Sequence, residues 1–147
     1  MLRPDAPFDP AYGASRFDHH VRHWEEHGFG LWGVELRDSG EIGGWLGPSH
    51  PDFSLELAHE VEVGWTLDRP FWGRGLATEG ARAAVQAVFG HLEVDRVISL
   101  IHPDNHRSAA VAERLGMRHA RQVHHPDVRE DLRVYMLERE RAAATAA

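Results

Sequence analysis

A glycine-containing turn between an extended run and an alanine-rich run constrains this chain more than any other segment. Residues 61–67 alternate branched or aromatic side chains with polar ones, as strands do, and residues 77–89 repeat small apolar side chains at helical spacing. Gly73 and Gly75 lie between them. A glycine turn that opens a helix leaves several backbone N–H groups unpaired and pointing in one direction. The segment therefore predicts an anion site of the kind that binds phosphate.

Length and charge limit the kinds of protein that fit. The 147 residues suffice for one domain with a real core, so residues 1–147 are expected to form a single domain. The formal net charge of −7 disfavours a nucleic-acid binder, which needs clustered positive charge. The sequence contains no apolar run long enough to span a bilayer and no recognisable signal peptide, so we expect a cytoplasmic protein without a membrane partner.

Cysteine and lysine are both absent from the sequence, which narrows the choice of phosphate sites. No thiolate or lysine nucleophile is available, and the lysine of a Walker-type loop is missing. A dinucleotide-binding turn needs three glycines, and Thr78 stands where the third belongs. That interpretation stays open, because Glu93 or Asp95 lies near the distance of a ribose-binding acid.

Periodicity and turn residues predict the remaining elements. Helices are expected over 15–28 (capped by Ser15), 77–89 (ended by Gly90) and 108–115, and strands over 29–36, 41–46, 60–67, 96–101, 117–123 and 132–137. Residues 1–14 are expected to be extended or poorly ordered, 47–59 and 124–131 to be loops, and 139–147 to be a frayed tail. This order predicts an α+β fold: a mixed, mostly antiparallel sheet with a central β-α-β unit and helices on both faces.

Histidines concentrate on the first predicted helix. His19, His23 and His27 lie one turn apart, on the face away from Phe17 and Trp24. Histidines four residues apart can hold a metal, but no carboxylate completes a His-Glu-x-x-His pattern here. We therefore expect a solvated polar face and no metal.

Four blocks of sequence together resemble the GNAT acyltransferase superfamily, over roughly residues 24–138. They comprise residues 62–67, 72–79, 103–108 and 113–117. Their joint spacing is most similar to that of the RimJ/RimL-type ribosomal-protein N-terminal acetyltransferases. The resemblance implies acetyl-CoA as cosubstrate and an amine as acceptor.

The resemblance also implies which residues bind the cofactor. The family's turn follows the six-residue pattern (Gln or Arg)-x-x-Gly-x-(Gly or Ala). Gly75 and Ala77 match its fourth and sixth positions, and Trp72 stands at the first position in place of Gln or Arg. Backbone N–H groups of the turn would hold the pyrophosphate, Asn105 would contact the pantetheine arm, and Ser108 would lie near the sulfur. Asn105 and Ser108 are also ordinary helix-capping residues. The full set is Val63, Trp65, Leu67, Trp72, Gly73, Arg74, Gly75, Leu76, Ala77, Thr78, Asn105 and Ser108.

Acetyl transfer from a thioester to an amine needs a neutral amine, a polarised carbonyl and a stabilised leaving thiolate. We expect direct attack in a ternary complex, with a backbone N–H of the strand over 63–67 facing the oxyanion, by analogy with the family. Glu62 is the candidate base, with Glu60 and His102 as rivals. Ala112 stands where many family members have a tyrosine acid, which leaves Ser108, directly or through water. Tyr135 is expected in the core.

The acceptor and the oligomeric state are less constrained. At pH 7 about a tenth of an α-amine is neutral but only about 0.04% of a lysine amine, so a modest base suits an α-amine or another amine of low pKa. Family members usually have a strand and one or two helices before the first helix predicted here, and these help to form the acceptor pocket. Three explanations stay open: a naturally short chain, a late start, or completion by a partner chain. We expect a homodimer. The alternative is a CoA-binding regulatory module without catalysis.

Overall fold

The computed structural model describes residues 10–126 and 129–146. A 3-10 turn, Arg69–Phe71, precedes the glycine turn. The main elements in chain order are α1 (Pro10–His27), β1 (Trp32–Glu35), β2 (Ile42–Ser49), β3 (Glu62–Leu67), α2 (Leu76–His91), β4 (Arg96–Ile101), α3 (His106–Arg114), β5 (Arg118–His125), β6 (Glu130–Glu138) and α4 (Arg139–Ala146).

The strands form one six-stranded sheet in the order β1-β2-β3-β4-β6-β5. β3 and β4 are parallel and are connected through α2, whereas the other neighbouring pairs are antiparallel. The predicted α+β fold with a central β-α-β unit is therefore confirmed. None of the described helices has the length and apolar character needed to cross a bilayer.

Side-chain alternation along the strands divides the core between the two faces of the sheet. Val63 and Trp65 of β3 pack with Ala84 of α2 and Ala112 of α3 on one face. On the other face, residues of β4, β5 and β6 pack around Leu57 from the loop before β3. α1 lies on this second face, next to β2. α2 and α3 thus lie on the first face of the sheet, whereas the His20 ring of α1 approaches Trp45 of β2 on the second face.

Several predicted boundaries were wrong. β2 continues through residues 47–49, which we expected in a loop, because Pro48 pairs with Val63 at a position whose missing N–H would point away from β3. α2 continues past Gly90 to His91. Residues 139–146 form a helix rather than a frayed tail. β5 and β6 extend into the region 124–131 that was expected to be a loop.

The prediction for the first helix was wrong in its start and in its orientation. α1 begins at Pro10 rather than Ser15, so residues 10–14 are helical, while residues 1–9 lie outside the described part of the chain. The histidine face is the one that packs: His23 is 5% exposed, whereas Phe17 is 69% exposed. A histidine ring can be buried when both nitrogens have hydrogen-bond partners, and Phe29 and His50 supply them to His23.

Candidate active site

The glycine turn ends in an uncapped helix N-terminus. Gly75 is the residue that precedes α2, its φ is 73°, and no side chain caps the helix there. Gly73 has a φ of 71°, in the same left-handed region. A Cβ added to either glycine would meet nothing within 4 Å, so the space in front of the turn is open. No side chain therefore caps the first N–H groups of α2, and uncapped N–H groups at the start of a helix are able to bind an anion.

Trp72 joins this turn to the elements on either side of it. Its indole Nε1–H donates to the carbonyl of Leu67, 2.7 Å away, at the end of β3. The guanidinium of Arg107, in the first turn of α3, lies 4.3 Å from the centre of the indole ring. This cation–π contact brings the turn and the start of α3 together. The sequence alone did not single out Arg107, because its position over the Trp72 ring results from a contact between separate segments of the chain.

β3 and β4 diverge along their length. The two described strands are in register at one pair, Glu62 with Ile98. Beyond that pair, the Ser99 hydroxyl donates to the Val63 carbonyl at 2.6 Å, in place of a strand-to-strand bond. In a strand, the backbone N–H and C=O groups of alternate residues point towards the same neighbouring strand. Those of Val63, Trp65 and Leu67 point towards β4 and therefore towards the gap between β3 and β4. These are the three β3 positions that the resemblance assigned to cofactor contact.

Asn105 and Ser108 begin α3 at the carboxyl end of β4. Asn105 caps the helix: its side-chain oxygen accepts the Ser108 N–H at 3.1 Å. The sequence left open whether Asn105 caps a helix, and the structure shows that it does. The cap occupies the oxygen and leaves the side-chain NH₂ as a donor. The Ser108 side chain is buried in the first turn of α3. Both residues thus lie at the end of the parallel strand pair where α2 also begins.

Glu62 lies on the opposite face of β3 from Val63 and Trp65. The Glu62 carboxylate and the Trp45 ring both lie over Gly64. A Cβ atom placed on Gly64 would be 3.8 Å from the Glu62 carboxylate and 3.7 Å from the Trp45 ring. Burial raises the pKa of the Glu62 carboxyl above its usual value, and a backbone hydrogen bond from Leu100 opposes part of this rise. A carboxylate whose pKa is raised binds a proton more tightly than an ordinary one, which is the property asked of a general base.

The two rival bases are held by other partners. Both carboxylate oxygens of Glu60 lie 3.1 Å from Nε of Arg96. His102 is buried, with its Nε2 2.6 Å from Glu130 and its Nδ1 accepting the Asp104 N–H at 3.1 Å. Both rival groups are therefore engaged with partners inside the protein.

A polar cluster on α1 and the loop before β3 faces the same side as Glu62. Arg16 donates to Asp52 at 2.8 Å and lies 3.4 Å from His20, whose ring centre is 6.2 Å from that of Trp45. Burial, with Arg16 adding to it, lowers the pKa of His20 to about 4. Sequence analysis missed this cluster, because nothing in the spacing of residues 16–20 and 45–52 shows that they meet.

Tyr135 is buried in the core on the face of α2, as expected. The remaining predicted cofactor residues, Arg74, Leu76, Ala77 and Thr78, all lie in the turn or in the first turn of α2. The structure therefore brings the predicted cofactor set to one end of the β3–β4 gap. It places Glu62 across the sheet from that set.

Comparisons with known proteins agree with this geometry. The family model described as "Acetyltransferase (GNAT) domain" matches residues 2–118. The uncharacterized protein YkkB of Bacillus subtilis (strain 168) is 31% identical over 102 residues, which cover 69% of this chain and 58% of that protein. A crystal structure of an acetyltransferase from Agrobacterium tumefaciens str. C58 matches with a TM-score of 0.77 and 33% identity, over 91% of this chain and 75% of that one. An aminoglycoside acetyltransferase AAC(6')-Ib, solved in complex with coenzyme A, matches in fold with a TM-score of 0.70 and 20% identity, over 84% and 74%.

Proposed function

The chain belongs to the GNAT acetyltransferase family, and we propose that it transfers an acetyl group from acetyl-CoA to a primary amine. One observation supports this above the others: the uncapped N-terminus of α2, behind Gly73 and Gly75, opens at the end of the gap between two diverging parallel strands. An anion site beside exposed strand backbone suits a cofactor with a pyrophosphate followed by an amide-containing arm.

The cofactor would bind in two parts. The N–H groups from Gly73 to Ala77 would hold the pyrophosphate, each contributing about 0.3–1 kcal/mol if exposed and up to about 2 kcal/mol if partly buried. Arg74 and the Thr78 hydroxyl would add contacts to the phosphates. The pantetheine arm would pair with the backbone of Val63, Trp65 and Leu67, and the Asn105 side-chain NH₂ would donate to one of its carbonyls.

The reaction would be a direct attack. The amine nitrogen attacks the thioester carbonyl carbon, the new C–N bond forms, and the C–S bond breaks to release the CoA thiolate. Glu62, directly or through one water, takes the proton that the amine loses. A β3 backbone N–H faces the carbonyl oxygen as charge develops on it. The Ser108 hydroxyl, directly or through water, supplies a proton to the thiolate.

The acceptor would be an α-amine of a protein N-terminus or a small amine of comparable pKa. Glu62 is a single carboxylate, and an α-amine is already about a tenth neutral at pH 7. The resemblance of the blocks to RimJ/RimL-type enzymes favours a protein N-terminus. The homodimer and the cytoplasmic location proposed from the sequence belong to the same hypothesis.

Two binding measurements and one assay test the proposal. Calorimetry with CoA and with NADH should show binding of CoA alone, and binding of NADH alone would revive a dinucleotide site. Thiol release from acetyl-CoA should then depend on an added amine, across a panel of small amines and N-terminal peptides. Tight CoA binding without thiol release on any acceptor would identify a CoA-binding regulatory module instead.

A further inference from the structure

Three histidines from separate segments converge where α1 ends and β2 ends. His23 and His27 are one turn apart on α1, and His50 directly follows β2; one nitrogen from each lies within 4.8 Å of the others. This cluster lies outside the cofactor residues and outside the polar cluster around Arg16. We propose that it is a binding site for a divalent transition metal, with zinc as the representative ion.

Hydrogen bonds to backbone carbonyls fix the tautomer of two of the rings. Nδ1 of His23 lies 2.8 Å from the Phe29 carbonyl, and Nδ1 of His50 lies 2.8 Å from the Glu60 carbonyl. A carbonyl only accepts, so each Nδ1 carries the proton and each Nε2 carries a lone pair. A ring that donates its second N–H to a backbone carbonyl is the usual arrangement of a metal-ligating histidine.

The lone pair of His23 Nε2 accepts the His50 backbone N–H at 3.0 Å. Coordination by His23 would replace that hydrogen bond with a metal–nitrogen bond. A tetrahedral zinc with Zn–N distances of ~2.0–2.1 Å needs ligand nitrogens about 3.4 Å apart. Because the three nitrogens lie within 4.8 Å of one another, the rings would have to move closer together on binding the ion.

The packing of the rings supports a common ligand. The ring centre of His27 lies 4.5 Å from that of His23 and 4.8 Å from that of His50. Phe29 contacts all three rings, with centre-to-centre distances of 5.1, 6.0 and 5.3 Å, and forms one apolar side of the site. Hydrogen bonding alone explains why His23 is buried and His50 is partly buried. It does not explain why His27, which is exposed, stands against both.

Three imidazoles suit zinc, copper or nickel and leave one coordination position for water or another ligand. The ion would connect α1 to β2, and through the Glu60 carbonyl to the start of β3. It would therefore fix α1 against the strand that carries Glu62, at a distance from the reacting atoms. An open coordination position is also found in catalytic zinc sites; here the three histidines lie outside the proposed cofactor residues, so the proposed role of the ion is to hold α1 against β2.

The test uses the full chain without a histidine tag, freed of metal with a chelator. Calorimetry with zinc chloride is expected to show one ion bound per chain, and cobalt(II) should give the visible absorption of a tetrahedral site. Zinc at about 100-fold above its Kd should raise the Tm by several degrees. Failure of acetyl transfer would leave these readouts unaffected, because they report coordination alone.

His27→Ala provides the decisive variant, because His27 is the most exposed of the three histidines and lies at the end of α1. It is expected to weaken zinc binding at least tenfold and to abolish the cobalt spectrum, with circular dichroism unchanged. His91→Ala is the matched control, since His91 is also an exposed last residue of a helix. Unchanged zinc affinity in His27→Ala, or an equal loss in His91→Ala, would overturn the proposal and indicate ordinary surface histidines.

Discussion

At the scale of single residues, Glu62 combines two properties of a general base. Burial raises the pKa of its carboxyl above the usual value, and its strand borders the gap between β3 and β4. Glu60, two residues earlier and directed to the same side of the chain, is paired with Arg96. From the sequence, both carboxylates are candidate general bases, because residues two positions apart on a strand point to the same side. The partner that separates them, Arg96, comes from the neighbouring strand.

Glu62→Gln is expected to lower kcat/KM by about 10²-fold or more, because the amide keeps the shape of the side chain and cannot take a proton. The Kd for CoA, measured by calorimetry, should not change, since the cofactor residues lie elsewhere. Glu60→Gln is the matched control. It should keep near-normal kcat/KM and lose at most about 1 kcal/mol of stability from the partly exposed pair with Arg96. Equal loss of activity in both variants would rule out a specific role for Glu62.

The raised pKa of Glu62 also predicts how stability depends on pH. The folded state holds this proton to a higher pH than the unfolded chain does. The carboxyl therefore stabilises the fold below its unfolded pKa, and this contribution is lost as pH rises through the folded pKa. Glu62→Gln should gain stability relative to the wild type as pH rises, by about 1.4 kcal/mol for each unit by which folding raises the pKa. Urea unfolding at a series of pH values measures the difference, and parallel curves for the two proteins would refute it.

At the scale of elements, α2 is the helix that the sequence predicted best, whereas α1 was predicted with the wrong start and orientation and α4 was not predicted as a helix. The alanine stripe of α2 has one reasonable partner, the sheet, so periodicity identifies its buried face. In α1 the apolar residues Phe17 and Val21 are exposed and His23 is buried. Histidine has no fixed preference for the interior or the surface. Its burial depends on acceptors and donors from residues 29 and 50, which periodicity cannot show.

The start of α2 carries a prediction about glycine. Gly75→Ala should cost about 1–2 kcal/mol of stability, because a φ of 73° is strained for a residue with a Cβ, and should weaken CoA binding measurably. Gly90→Ala on the same helix is the control. It should stabilise the protein by about 0.5–1 kcal/mol and leave the Kd for CoA unchanged, because it replaces a helical glycine whose surroundings are open. Unfolding curves and calorimetry give both values. An undiminished affinity for CoA in Gly75→Ala would exclude the turn as the pyrophosphate site.

At the scale of the whole molecule, the divergence of β3 and β4 creates one gap with a different environment on each side of the sheet. The turn, α2 and α3 border it on one side, and Glu62, Trp45 and α1 lie on the other. Sequence blocks predicted the first side, because its residues are contiguous and close to helix starts. Apart from Glu62, they did not predict the second side, which is assembled from α1, β2 and the loop after it. The position of β6 between β4 and β5 likewise depends on pairing across distant segments.

The most direct test of the central claim is to locate the product of acetyl transfer. The full chain is incubated with acetyl-CoA and a peptide that has both a free α-amine and a lysine, and the acetylated position is found by fragmentation mass spectrometry. We predict acetylation of the α-amine, in step with thiol release and strongly reduced in Glu62→Gln. Saturated CoA binding with no acetyl group on the peptide or on any small amine would contradict the claim.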